Sequence, residues 1–364
     1  MADVLFVTMD GGGNVPPLLA VASAVAAGGH SVRVTGHACL DADVTRAGLP
    51  FAPYPTARPW DSTQEQNPLK WVPMFNDRNI ADDVDRLCAE RRPDVAVVDC
   101  MLLPALKKLQ RNNIRTVVFT HTFRGYMNRM HRYGAGTVAL LYGHRITSLW
   151  NGADLNIVAT LERLDPDARR RRPPNLRWVG AVVSGRPAHP DSGPPLVLVS
   201  MSTNGFRGQR ATLARVIEAL TGLPVRAVVT TGGVIDPADL PSAPNVEVVG
   251  FVDHADVMPK CSLLIGHGGH ATTLRALAHD IPVLVLPASA LSDQRLIGAA
   301  VARAGAGILA SRSSPVSMLR ADINSVLTEP RWRDAAAGVG RQLRAADAAR
   351  EAADLIVALA PPVR

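Results

Sequence analysis

Short apolar runs alternate with stretches of helical periodicity along most of this chain, and the alternation predicts its elements. Val4-Leu5-Phe6-Val7-Thr8 has the unbroken apolar character of a strand buried on both faces, and Asp10-Gly11-Gly12-Gly13-Asn14 reads as the turn after it. A helix is predicted from Val15 to Ala27, with Pro16 and Pro17 in its first turn, where their missing N–H groups do least harm. Gly28-Gly29 stops it, and Ser31-Val32-Arg33-Val34-Thr35 supplies the second strand. The same rhythm recurs at Asp94 to Asp99 and at Thr116-Val117-Val118-Phe119, then at 196–199, 225–229, 246–252, 263–265 and 283–286. Strand, turn, helix, strand repeated in this way predicts an α/β fold of parallel, doubly wound sheets.

The pattern breaks once, between two such halves. Asn175 to Gly180 reads as a last strand of the first, and the Pro/Gly/Ser-rich segment 184–195 carries no apolar period, as a linker does. The expected domains are therefore 1–183 and 196–364. Two further stretches stand out. Between Pro50 and Asn79 the periodicity is poor and Trp60, Trp71 and Phe75 are the large apolar side chains; from Phe123 to Trp150, Tyr126, Met127, Met130, Tyr133 and Tyr142 lie on amphipathic helical patterns.

Composition narrows the classes. At 364 residues the chain is long enough for two separate cores, and 47% hydrophobic with 20% charged residues is globular rather than disordered. The net charge of +7 is carried by scattered arginines, with Arg169-Arg170-Arg171-Arg172 the one run, so nucleic-acid binding is not expected and attraction of a small anion is. Cys39, Cys88, Cys100 and Cys261 form no CxxC pair and read as small hydrophobes in a reducing cytoplasm. MADVLFVTMD lacks the basic flank and long apolar core of a signal peptide, and no apolar run approaches the roughly 20 residues of a membrane span. A soluble cytoplasmic protein is expected.

The candidate chemistry is concentrated from Cys261 to Ile308. There Leu263-Leu264-Ile265 is a buried strand broken by Gly266-His267-Gly268-Gly269, after which a helix opens around His270-Ala271-Thr272-Thr273 and Val283 to Leu286 forms the next strand. Glycines let backbone approach a ligand, and a helix start offers free N–H groups at the positive end of a dipole. Hydroxyls of Thr272 and Thr273 and a ring nitrogen of His267 add hydrogen-bond partners, which makes this turn a diphosphate cradle built without a metal. The N-terminal glycines do not make a second one of the dinucleotide type: Pro16 stands where the GxGxxG pattern needs glycine.

His267, Gly268, Gly269, Thr272, Pro287, Asp293 and Gln294 match in order and spacing the donor signature of the family-one, GT-B-fold glycosyltransferases, which this chain resembles, in particular the actinobacterial natural-product enzymes. Ala271 replaces the usual Gly, Arg275 stands where many members have Glu, and Ile297 where many have Asn. The resemblance implies two Rossmann-like domains facing a central cleft, with a terminal helix that in this fold often crosses back to the first. It implies an inverting, metal-independent transfer of a sugar, a hexose or deoxyhexose, from a UDP or TDP donor to a small natural-product acceptor, with no cofactor. The donor would lie along Ser202, Thr203, Val252, His267, Gly268, Gly269 and Thr272, with Asp293 and Gln294 on the sugar hydroxyls. A homodimer is left open.

One departure bears on mechanism. The family's turn after the first strand carries a histidine as general base, and here that position holds Asn14, which cannot accept a proton near neutral pH. Asp99, matching the carboxylate that partners that histidine, and His121, at the end of the next strand, are the candidates that remain. An apolar setting would raise the Asp99 carboxyl toward a useful range, and a histidine titrates near 6.5 unperturbed. Helix capping for Asp99 and a structural role for His121 are equally open. The carboxylate pairs Asp41/Asp43, Asp83/Asp85 and Asp165/Asp167 follow no apolar strand directly, so no metal site is expected at them. Two other functions compete with transfer: a nucleotide-sugar epimerase on the same fold, and a catalytically weak nucleotide-sugar-binding partner protein, which the loss of the histidine favours.

Overall fold

The computed structural model describes residues 1–65, 68–202, 204–290 and 292–361, and within them the chain forms two compact units. The first contains β1 (Asp3–Val7), β2 (Ser31–Gly36), β3 (Phe51–Pro53), β4 (Val95–Asp99), β5 (Arg115–Thr120), β6 (Leu155–Val158) and β7 (Leu176–Trp178). They pair side by side in the order β3-β2-β1-β4-β5-β6-β7, every pair parallel. The second contains β8 (Leu196–Ser200), β9 (Arg226–Thr230), β10 (Val246–Val249), β11 (Cys261–Gly266), β12 (Val283–Val285) and β13 (Gly307–Leu309), in the order β10-β9-β8-β11-β12-β13 and again all parallel. Both sheets reverse their winding direction once, between β1 and β4 in the first unit and between β8 and β11 in the second. Open parallel sheets bind ligands outside the carboxyl ends of strands at such a switch point.

The continuous apolar runs follow from this layering. Val4 and Phe6 of β1 enter the core on one side of the sheet, while Leu5 and Val7 enter the core on the other. A strand buried on both faces has no use for alternation. The helix Val15–Ala27 forms where the sequence predicts it, with Gly28 after its last turn.

Unit 1 comprises Met1–Val182 together with Asp347–Arg364, and unit 2 is Val183–Ala346. The alanine- and arginine-rich C-terminal stretch forms two helices, Pro330–Ala345 and Ala348–Val357, separated at Asp347, whose side chain accepts from the Arg350 amide. Ala348, Ala352, Ala353 and Ile356 line one stripe of the second helix and join the core that holds Leu18, Leu19, Val21, Ala22 and Val25 of the Val15–Ala27 helix. The 184–195 segment is fastened to unit 2: Ala188 N donates to His279 O at 2.9 Å and His189 N to Pro259 O at 2.8 Å. It therefore behaves as part of the second unit, not as a free connector. Among the described residues no helix is long and apolar enough to cross a membrane.

Candidate functional site

In unit 1 the switch point between β1 and β4 gathers the three candidates for proton transfer. Asn14 sits just before the Val15–Ala27 helix and is 1% exposed. Its Nδ2 donates to Asp99 Oδ2 at 2.9 Å and to Met9 O at 3.0 Å, and its Oδ1 accepts from Gly11 N at 3.0 Å. Both ends of the amide are thereby committed to protein partners. Asp99, at the end of β4 and also 1% exposed, accepts from Met101 N at 3.0 Å through Oδ1. Parallel pairing sets Asp99 opposite Phe119, so β5 delivers His121 just beyond it, with Nδ1 3.6 Å from Asp99 Oδ2. That distance suits an ion pair and is longer than a hydrogen bond.

The setting does not raise the Asp99 carboxyl, as its apolar strand suggested it would. Burial pushes the carboxyl up, but His121 beside it, the Met101 amide and the Asn14 amide together outweigh burial and hold it below the ordinary carboxylate range. Asp99 is thus an ionised, enclosed acceptor. Next to it, burial raises the Cys100 thiol well above its ordinary value. Asp99, Cys100 and His121 offer ligand atoms within 4.8 Å of one another, but a cation there would first have to displace that tightly held thiol proton, which disfavours the cluster as a metal site.

The surroundings of this turn come from the poorly periodic 50–79 stretch. Tyr54 donates to Thr8 O at 2.7 Å and Trp60 Nε1 to Asp10 O at 2.8 Å, so both are tied to the backbone of the same turn. Trp60 packs edge-on against Trp71 at 5.0 Å, and Phe75 lies beyond. Tyr54 and Trp60 also line a cavity of about 650 Å³ with His37, Arg58 and Asp61. In the 123–150 stretch Met127 is buried and Tyr133 is 76% exposed. In two of the carboxylate pairs one member is engaged mainly by backbone: Asp83 accepts from Thr56 N, Thr56 Oγ1 and Ala57 N, and Asp165 from Arg124 N, Gly125 N and Asp167 N.

In unit 2 the switch point between β8 and β11 holds the glycine turn. Gly268 has φ +88°, and a Cβ there would lie 2.8 Å from Val285 Cγ1 and 2.9 Å from Gln294 O. Only glycine fits both the conformation and the space. The turn feeds the nine-residue helix His270–Ala278, whose cap residue Gly269 brings no side chain to its first amides; Thr273 N donates to Gly269 O at 3.0 Å. Thr272 is half-buried and Thr273 is 2% exposed, which leaves Thr272 the more accessible hydroxyl. Enclosure pushes the His267 imidazole down to about 4, against a weaker opposing pull from the Ser200 backbone, and its Nδ1 is buried without a hydrogen-bond partner. His267 is therefore neutral at pH 7 and offers a dipole, not a charge.

The remaining donor candidates surround this turn unevenly. Gln294 opens the helix Gln294–Arg303 directly behind Asp293, and its Oε1 accepts from Ala288 N at 2.7 Å and Ser289 N at 3.2 Å. Its carbonyl holds the loop after β12, so only its amide nitrogen is left for a sugar. Ser202 Oγ accepts from Asn204 N at 3.1 Å; Thr203 lies outside the described residues. Val252 is half-buried beside Phe251, which is 78% exposed. Sequence reasoning passed over His254, whose Nε2 meets Ser200 Oγ at 3.1 Å at the end of β8. Its place two residues after Val252 was the available signal.

Comparison with known proteins agrees with this architecture. Residues 215–359 match the family described as erythromycin biosynthesis protein CIII-like, C-terminal domain. The chain is 33% identical over 218 residues to 4'-demethylrebeccamycin synthase of Lentzea aerocolonigenes, an alignment covering 57% of this chain and 50% of that protein. The chain spans about half the length of the curated relatives it matches. Among solved structures, the glycotransferase of kitacinnamycin superposes with a TM-score of 0.83 at 24% identity over 99% of both chains. The glycosyltransferase VinC in complex with DTDP does so with a TM-score of 0.74 at 19% identity over 98% of this chain and 99% of that one. The fold is that of the GT-B glycosyltransferases, and the chain resembles the actinobacterial natural-product members.

Proposed function

We propose that this protein is a glycosyltransferase that moves a sugar from a UDP or TDP donor to a hydroxyl of a small natural product, with inversion at the anomeric carbon and without a resident metal. The observation that carries the reading is the turn Gly266-His267-Gly268-Gly269, set at a sheet switch point and opening a helix with no side-chain cap. Backbone amides and the dipole there favour a diphosphate. Because His267 is neutral, stabilisation of the leaving diphosphate falls to those N–H groups, with an imidazole N–H and the Thr272 hydroxyl as further donors. Asp293 and the amide nitrogen of Gln294 would meet the sugar hydroxyls, with Ser202 approaching the phosphates and Val252 the base. The solved structure of VinC with DTDP supports a thymidine nucleotide.

For the acceptor we assign the base to His121. Asp99 is enclosed, ionised and engaged on both oxygens, so it does not itself reach a substrate; it faces His121 Nδ1. With a proton on Nδ1, the lone pair on Nε2 is the one that takes the acceptor hydroxyl's proton, and Asp99 stabilises the imidazolium that results. Asn14 holds the carboxylate from the opposite side. The histidine–carboxylate pair is in this reading retained, with the histidine supplied by the strand β5 instead of the turn after β1. The commitment of Asp83 and Asp165 to backbone amides supports a metal-independent reaction.

Thermal stabilisation by TDP, UDP and GDP, followed by turnover of the best nucleotide's sugar in the presence of candidate acceptors, tests the reading. Stabilisation that disappears in His267→Ala, and product of inverted anomeric configuration by NMR, is the expected result. Donor isomerised without acceptor, or binding with no turnover of any kind, would overturn it.

A further inference from the structure

Away from the cradle, unit 2 has a cavity whose lining residues include two arginines and no carboxylate. It measures about 430 Å³ and is lined by Ser184, Gly185, Arg186, Ala255, Pro259, Arg275 and His279. Arg275 and His279 stand one helical turn apart at the end of the His270–Ala278 helix, and Arg186 comes from the segment that crosses it. The crossing is close: a Cβ on Gly185 would lie 2.7 Å from Ala278. His279 binds the backbone of Arg186, with Nδ1 2.7 Å from its carbonyl oxygen, which locks the segment in place.

The charges around this cavity are unbalanced. Arg344, the third guanidinium near His279, is paired with Asp280 at 2.6 Å. Arg275 and Arg186 have no ion pair among the described residues, and Arg275 Nε is buried without a hydrogen-bond partner. A buried guanidinium nitrogen left unpaired costs free energy that an acceptor would recover, and two guanidiniums facing one cavity repel until something neutralises them. The neighbouring imidazole feels the imbalance: burial first, then Arg275, Arg186 and Arg344, push His279 below its ordinary value.

We propose that this cavity is a second anion site, taking a phosphoryl dianion between Arg186 and Arg275 and so tying the 184–189 segment to the helix that begins at the diphosphate cradle. The planar forks of two arginines match a tetrahedral oxyanion, and hydroxyl and backbone groups of Ser184 and Gly185 complete the rim. The group can be free inorganic phosphate or a phosphate monoester carried by a larger molecule.

The test is titration of inorganic phosphate, and separately of a sugar phosphate, at constant ionic strength, read by calorimetry and by thermal shift. Both Arg186→Ala and Arg275→Ala are expected to weaken phosphate binding by about tenfold or more, and Arg186→Ala, which lies outside the donor signature, should leave nucleoside diphosphate binding measurable. Arg186 is exposed, so its variant separates lost binding from lost folding. Selective gain for the sugar phosphate identifies a bound monoester, and equal affinity identifies the free ion; both support the site. The proposal falls if phosphate fails to bind at millimolar concentration. It falls equally if binding survives in both arginine variants but vanishes in His267→Ala, which would place the anion in the cradle. Because the nucleotide arm reports on His267 independently, failure here leaves the donor reading standing, and the reverse.

Discussion

Asn14 donates a 2.9 Å hydrogen bond to Asp99 Oδ2, the same oxygen that faces His121 Nδ1 at 3.6 Å. One carboxylate oxygen is thus held between an amide that cannot titrate and an imidazole that can. If His121 is the base, His121→Ala should lower kcat by about 10²–10⁴-fold with little change in donor KM. Asp99→Asn should lower kcat in the same direction, and the pH profile of the surviving activity should change with it. Equal, small losses in the two variants would mean that neither serves the reaction.

The shared oxygen also predicts a rescue. Placing an imidazole on the other side of Asp99, as Asn14→His in the His121→Ala background, should restore part of the lost rate. Asn14→Ala alone strips partners from Gly11 N, Met9 O and Asp99 together and should destabilise unit 1 by about 1–3 kcal/mol by chemical denaturation. A rescue that fails in a folded double variant argues against the relocated pair.

Gly268→Ala forces a side chain into φ +88° and against Val285 Cγ1 and Gln294 O. The expected result is a stability loss of about 2 kcal/mol or more and loss of nucleotide stabilisation in a thermal-shift assay. Gly193→Ala, where a Cβ meets nothing within 4 Å, is the control.

Acid should weaken the fold before the carboxylates protonate. Burial pushes His37 down to about 4, against the opposing charges of Asp10 and Asp77, and its Nδ1 accepts from Asp10 N at 3.4 Å. The unfolded chain binds the proton from about 6.5 downward and the folded chain only near 4, so stability is complete above 6.5 and falls through that window, by on the order of 3 kcal/mol from His37 alone. His131 and His267, likewise pushed down to about 4, act with the same sign. Melting temperatures across pH 7 to 4 should decline, less steeply in His37→Gln; an unchanged slope would remove His37 as a cause.

Much of this architecture is legible in the residues because strands buried on both faces write themselves as unbroken apolar runs. The helix Val15–Ala27 appears with its sequence-derived ends because prolines open it and glycines close it. The break near Asp347 was not legible, since two alanine- and arginine-rich helices in succession have the same periodicity as one, and only packing assigns them to different cores. At the site, Asp99 and His121 could each be placed at the end of a strand, but their meeting depends on the register that sets Asp99 beside Phe119. The direction of the Asp99 shift is hidden from the sequence for a related reason: the polar contacts that outweigh burial come chiefly from residues distant in sequence.

The Ala348–Val357 helix completes one of the two cores that β1 begins, so synthesis delivers all of Val183–Ala346 before that core is closed. While the ribosome is still translating the second unit, the flank formed by Leu18, Leu19, Ala22 and Val25 has no final cover. A released chain truncated near residue 346 would hold one complete unit and one open one, and the open one is where a chaperone or a protease would be expected to engage it.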